Sequence, residues 1–170
     1  MPLIIVSLWK KEVIYLSKPI ELTEITIVQK DTKNKIREAH IGKFEEPVLF
    51  GVHGGVKAFY GVDTEIEYPS TLDHIVAAAG GWLVGTLSGA LEARKIPTTD
   101  KVSAKIQGTI EAPDGVLKIT KISCHYFLNI PDGTQEAAER VLSVFEKYCP
   151  VAQTLKGAVT FDHQWTIETY

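Results

Sequence analysis

Cysteine is scarce in this chain: there are two, Cys124 and Cys149. A small disulfide scaffold needs more of them in a shorter chain, so that class is excluded. No C-x-x-C pair and no His/Cys cluster occurs, which leaves no metal site to argue and no cofactor to expect. A basic block is missing too. Lys10 and Lys11 are only two adjacent lysines, and Lys30, Lys33 and Lys35 are interleaved with Asp31 and polar residues, as in a solvated turn. With a net charge of −3, nothing electrostatic argues for a nucleic-acid partner. The opening MPLIIVSLWKKEVIYL has no basic residue ahead of its apolar run and no small-residue cleavage site. A secretory leader is therefore not expected, and a cytoplasmic location is the default.

What is present suits one globular domain. The 170 residues are 45% hydrophobic and 23% charged, enough apolar material for a core. The first half reads as strands. Leu3–Val6 and Val13–Leu16 are short β-rich runs, Glu21–Val28 is β-like, and Lys30–Lys35 is a polar break between strands. Gly51, Gly54 and Gly55 mark a loop with unusual backbone angles. A long helix follows, with Ser70 or Thr71 as its cap, Asp73 in its first turn and Pro97 beyond its end. Lys101–Glu111, the turn Pro113-Asp114-Gly115 and Val116–Leu128 predict a β-hairpin. Asp132-Gly133-Thr134 then opens a helix with apolar residues at helical spacing through Phe145. Pro150 starts a short helix, and Ala158–Thr169 closes the chain as a strand.

The long helix carries no charge from Ile75 to Leu91, and Gly81, Gly85 and Gly89 form a repeated G-x-x-x-G. Such spacing packs helices in membranes. Here the run falls short of the ~20 residues that a bilayer requires. It is also rich in Ala and Gly and set among charged elements. No membrane span is expected; the glycines suit close backbone packing, within the chain or in a dimer.

The run Ile75-Val76-Ala77-Ala78-Ala79-Gly80-Gly81-Trp82-Leu83 resembles the central helix of the OsmC/Ohr family, the osmotically induced and organic-hydroperoxide-resistance proteins. The later Tyr148-Cys149-Pro150-Val151 is similar to the family's Cys-Pro-Val motif. Glu45-Glu46-Pro47 before a glycine loop resembles a segment that many members share. The order and spacing of these motifs carry the resemblance over Glu21 to Glu168. Residues 1–20 are then an N-terminal extension and 21–170 the family domain. The resemblance implies an α+β fold with two central helices, flanking antiparallel sheets and an intertwined homodimer. It implies thiol-dependent reduction of small organic hydroperoxides, with a dithiol reductant restoring the enzyme. A first cysteine attacks the peroxide and becomes a sulfenic acid, and a second condenses with it.

The chain departs from that pattern where the chemistry begins. Trp82 stands in place of the attacking cysteine, and Leu72 falls where the organic-hydroperoxide branch has a helper glutamate. Cys149 matches the second cysteine. Arg37, the only arginine before the long helix, is the candidate for the family's activating arginine. Two functions follow: a relative of hydroperoxide reductases that lacks the standard two-cysteine activity, or a non-catalytic protein binding a small apolar ligand in an interface pocket. Cys149 reads as a redox-active or ligand-contacting thiol, or as a cysteine kept by packing. Trp82 reads as a pocket wall or as a filler of the former site. His74 reads as a substrate-contacting polar group at the pocket rim, or as a capping or solvent-facing residue; Asp73 reads as a substrate-contacting carboxylate or base, or as a helix-dipole partner. His125, adjacent to Cys124 on a strand, points to the opposite face and makes no dyad with it. Cys124 and Cys149 are not expected to form a functional disulfide.

Overall fold

The computed structural model describes residues 20–170, together with the backbone of two short paired strands, β1 (Ile4–Val6) and β2 (Val13–Tyr15). The rest of the expected N-terminal extension lies outside the described residues.

Three antiparallel strands form a first sheet in the order β3 (Ile25–Asp31), β4 (Ile36–Ile41), β5 (Val48–Phe50). Its hairpin is more than a solvated turn. Asn34 is buried at 5% exposure. Its backbone N–H and side-chain amide donate to the two oxygens of Asp31 at 2.9 and 2.7 Å. Its Oδ1 accepts the backbone N–H groups of Glu65 and Ile66 at 2.9 and 3.1 Å. One side chain thus ties the hairpin to the segment that leads into the long helix. These hydrogen bonds from Asn34 hold the Asp31 carboxyl below the usual range.

The glycine loop after β5 is in part a helix, α1 (Gly54–Phe59), which the sequence reading takes for loop. Gly54 has φ +47. At Gly51 a Cβ would stand 2.8 Å from that of Tyr68, so glycine there lets Tyr68-Pro69 run against β5. The long helix, α2, spans Thr71–Glu92 and is capped by Ser70. It is long and apolar enough to cross a membrane by composition. In this fold, Ala79, Leu83, Leu87 and Leu91 at four-residue spacing form one buried ridge of the core.

The second sheet has the order β6 (Val102–Glu111), β7 (Lys118–Ile130), β8 (Thr160–Thr169). β6 and β7 are the expected antiparallel hairpin, but β7 and β8 are parallel. The expectation of purely antiparallel sheets is therefore corrected. The chain reaches β8 through α3 (Gln135–Leu142), a 3-10 turn (Phe145–Tyr148) and α4 (Pro150–Leu155). A crossover of that length is what a parallel pair requires. The expected continuous helix to Phe145 stops at Leu142. α2 lies on this sheet at glycine distance. A Cβ on Gly80 would meet Ile106 Cγ1 at 2.7 Å, and one on Gly108 would meet Val76 Cγ2 at 2.5 Å. The buried face of β7, with Ile122, Cys124, Tyr126, Leu128 and Ile130, completes one core with α2, α3, Phe145 and Cys149.

Candidate functional site

The residues singled out in sequence fall at three places. The first is the N-terminal end of α2. Asp73 closes a capping box: its backbone N–H donates to Ser70 Oγ at 3.3 Å, and the Ser70 backbone N–H donates to Asp73 Oδ2 at 2.6 Å. The Ser70 hydroxyl donates to the same carboxylate oxygen. His53, which the sequence reading does not single out, brings Nε2 within 2.8 Å of it. Burial works against ionisation of Asp73, but the hydrogen bonds from Ser70 and His53 outweigh it and hold the carboxyl below its usual range. Asp73 is thus engaged as a cap and as the hydrogen-bond partner of His53. His74 Nδ1 lies 2.8 Å from the Ser70 carbonyl, and its ring meets Phe50 edge-on with centroids 4.6 Å apart.

Arg37, on β4, reaches the same end of the helix. A cavity of about 480 Å³ is lined by Arg37, Lys35, Ser70, Thr71 and Leu72, with apolar residues around the remainder. The fold thus brings Arg37 and Leu72 to one cavity. Lys35 is a cavity residue that sequence reasoning assigns only to a turn. Its backbone is left-handed, with φ +59 at a non-glycine residue.

The second place is the outward face of α2. Trp82 is 54% exposed within the protomer. It lies nine residues from Asp73, about 14 Å along the axis. It shares its face with Ile75, Ala78, Gly81, Gly85 and Gly89, all exposed. A Cβ on any of those three glycines would meet nothing within 4 Å. Within the single chain, then, Trp82 does not fill a cavity, and the G-x-x-x-G glycines pack on nothing.

The third place is the core beneath the inward face. Cys149 caps the N-terminus of α4 and is 0% exposed; Cys124 on β7 is 2% exposed. Both thiols are free and belong to the same core cluster. Burial pushes the Cys124 thiol up, and a hydrogen bond from Tyr126 only partly offsets this. Tyr126 is fully buried, its hydroxyl 3.0 Å from His163 Nδ1, and His163 Nε2 lies 3.2 Å from Glu146 Oε2. This polar chain was not legible in sequence, because it joins β7, β8 and the 3-10 turn. His125 points the other way, stacked on Phe127 at 4.5 Å. Among the described residues no group of three His, Cys, Asp or Glu could hold a metal.

Comparison with solved structures finds this fold repeatedly. An OsmC-like protein from Mycoplasma pneumoniae is 16% identical, with a TM-score of 0.67 over 88% of this chain and 99% of that one. An organic hydroperoxide resistance protein OsmC from Legionella pneumophila, also described as a predicted redox protein, is 13% identical, with a TM-score of 0.64 over 88% and 99%. An OsmC-like protein of unknown function from Vibrio cholerae is 10% identical, with a TM-score of 0.68 over 85% and 99%. The sequence comparison with curated proteins gives no match. Residues 63–164, more than half of the chain, match the family described as OsmC-like protein. The chain belongs to the OsmC-like family.

Proposed function

We propose that this protein is a homodimeric member of the family that has lost the standard two-cysteine hydroperoxide cycle and retains a small-ligand pocket between protomers, walled by Trp82. The observation that carries the reading is Trp82 itself. The cycle starts when a thiolate attacks the O–O bond: the S–O bond forms, the O–O bond breaks, and the departing alkoxide takes a proton to become an alcohol. The sulfenic acid left behind then condenses with a second thiol, releasing water and forming a disulfide that a dithiol reductant reopens. An indole has no thiolate to offer. Cys149, the remaining motif thiol, is 0% exposed, so a peroxide reaches it only if the core opens.

The dimer is supported by the exposed apolar face of α2, from Ile75 through Trp82. A second copy of α2 laid along it would cover the indole and use the unfilled space at the glycines. The N-terminal sheet supports it as well, because Ile25 and Ile27 are 49% and 55% exposed.

The test is consumption of cumene hydroperoxide with a dithiol reductant by the wild type, Cys149→Ser and Trp82→Cys. Turnover at the buffer rate by the wild type and by Cys149→Ser is expected, with peroxide-dependent oxidation of the new thiol in Trp82→Cys; Cys149, beneath the opposite face of α2, joins it only if the core opens. Rapid wild-type turnover that Cys149→Ser abolishes would make Cys149 the attacking thiol and end this reading.

A further inference from the structure

The cavity at the N-terminal end of α2 contains neither cysteine nor Trp82, and it has a chemistry of its own. At about 480 Å³ it falls within the range of small-molecule sites, roughly 300–1,000 Å³. Its lining divides by type. Val52, Val56, Val62 and Leu72 give an aliphatic wall, with Tyr60 beside them. Lys35 and Arg37 give two positive charges, and no Asp or Glu lines the space.

The charges are also unspent. On the same hairpin, Lys30 pairs with Glu38 at 3.2 Å and Lys33 with Glu65 at 2.7 Å. On α1, Lys57 pairs with Glu67 at 3.0 Å. Lys35 and Arg37 have no such carboxylate among the described residues. The Arg37 Nε is buried and makes no hydrogen bond, one of only two such side-chain atoms there. A buried donor without an acceptor is costly, by roughly 1–3 kcal/mol for a neutral group and more for a charged one. A guanidinium fork is shaped to receive the two oxygens of a carboxylate. Leu72 lines the same cavity and no Asp or Glu does, so the lining brings no carboxylate to meet it.

We propose that this cavity binds a small organic acid with an aliphatic tail, its carboxylate held by Arg37 and Lys35 and its tail against Val52, Val56, Val62 and Leu72. The proposal goes beyond the peroxide reading and stands whichever way Cys149 behaves, because no thiol takes part. The head group accounts for the unpaired cations and the tail for the apolar wall. Neither half alone accounts for both.

The experiment is calorimetric titration of the full chain with decanoate, decanol, acetate and inorganic phosphate. Decanoate should bind at least tenfold tighter than each of the other three. Arg37→Gln should weaken decanoate at least tenfold and leave decanol unchanged. Val56→Trp, which fills the cavity and spares both cations, should also abolish decanoate binding. Lys105→Gln, on the outer face of the second sheet, should have no effect, and Cys149→Ser should bind decanoate as the wild type does. Equal binding of decanoate and decanol would reduce the site to an apolar hole, and equal binding of phosphate and decanoate would reduce it to a charge patch. Either result overturns the proposal, as does the absence of decanoate binding at millimolar concentration. If Arg37→Gln fails to fold by circular dichroism, the wild-type ligand series and Val56→Trp decide the question.

Discussion

The sign of a glycine-to-alanine change on α2 should depend on which face it occupies, and that makes the dimer testable without a structure of it. Take Gly85→Ala. Within a lone protomer the added methyl meets nothing within 4 Å. The substitution then only improves helix propensity and should stabilise the fold by about 0.5–1 kcal/mol. If a second α2 lies along that face, the methyl intrudes where backbones approach. Overpacking costs about 1–3 kcal/mol, a rise in the dimer dissociation constant of roughly 5- to 140-fold. Gly80→Ala is the matched control on the inward face. There the new Cβ would lie 2.7 Å from Ile106 Cγ1, which is not the free end of a flexible chain. The propensity gain is offset by a clash of about 1–3 kcal/mol, giving a net loss of up to about 2 kcal/mol inside the protomer. Sedimentation velocity across a wide concentration range reads association, and urea unfolding reads stability. Gly85→Ala should weaken self-association. Gly80→Ala should lower the urea midpoint. If Gly85→Ala raises the midpoint at every concentration and leaves association untouched, α2 is not packed against a partner at that glycine.

Other outcomes follow from individual contacts. Ser70→Ala removes the cap of α2 and should cost about 1 kcal/mol in urea unfolding at neutral pH. Asp73 has a folded-state carboxyl held below its ordinary value of 3.8, so its contribution is complete above that pH and fades as the pH falls through the folded value. Asp73→Asn should therefore lower stability at pH 7 and flatten the loss of stability below about pH 4; an unchanged acid limb would contradict this. Tyr126→Phe keeps the buried ring but strips the partner from His163 Nδ1, and it should cost about 1–3 kcal/mol by thermal or urea unfolding. Both thiols are buried, so an aromatic disulfide reagent should label neither in native protein and both in denaturant. Rapid native labelling of Cys149 would show that the core opens there.

Much of the fold was legible because its signals are local. The cap, the charge-free run and Pro97 define α2, and Pro113-Asp114-Gly115 between alternating segments defines the β6–β7 hairpin. The elements that were missed depend on distant partners. α1 begins with two glycines, which read as loop until the chain around Tyr68 packs on Gly51. The parallel pairing of β8 leaves no trace in its own alternation, since strands of either sense alternate alike. The site divides in the same way. Cys149 and Trp82 were found by motif, and their opposite exposures, 0% and 54%, come from which face of the core each one meets. His53 and Lys35 were not singled out, because a histidine twenty residues from its aspartate and a lysine in a hairpin carry no spacing signal.

The departures from the family pattern are physically connected. In the two-cysteine cycle a cation near the first thiol stabilises the thiolate, and the parts required are a cysteine, an arginine, a helper carboxylate and a resolving thiol. On the proposed reading, Trp82 in place of the attacking cysteine removes the anion that the arginine would serve, and Leu72 at the helper position removes the carboxylate that would hold it. An arginine left with neither partner should be costly when it is buried. Arg37 is instead present, half-buried, with Nε unpaired and a second cation, Lys35, lining the same cavity. The energetics favour an anion from outside the chain over a relic charge, and the decanoate titration distinguishes the two. A relic arginine predicts that Arg37→Met raises stability in the absence of ligand and changes no binding. A ligand-holding arginine predicts that the same variant loses the stabilisation that decanoate gives the wild type, read as a concentration-dependent shift in melting temperature.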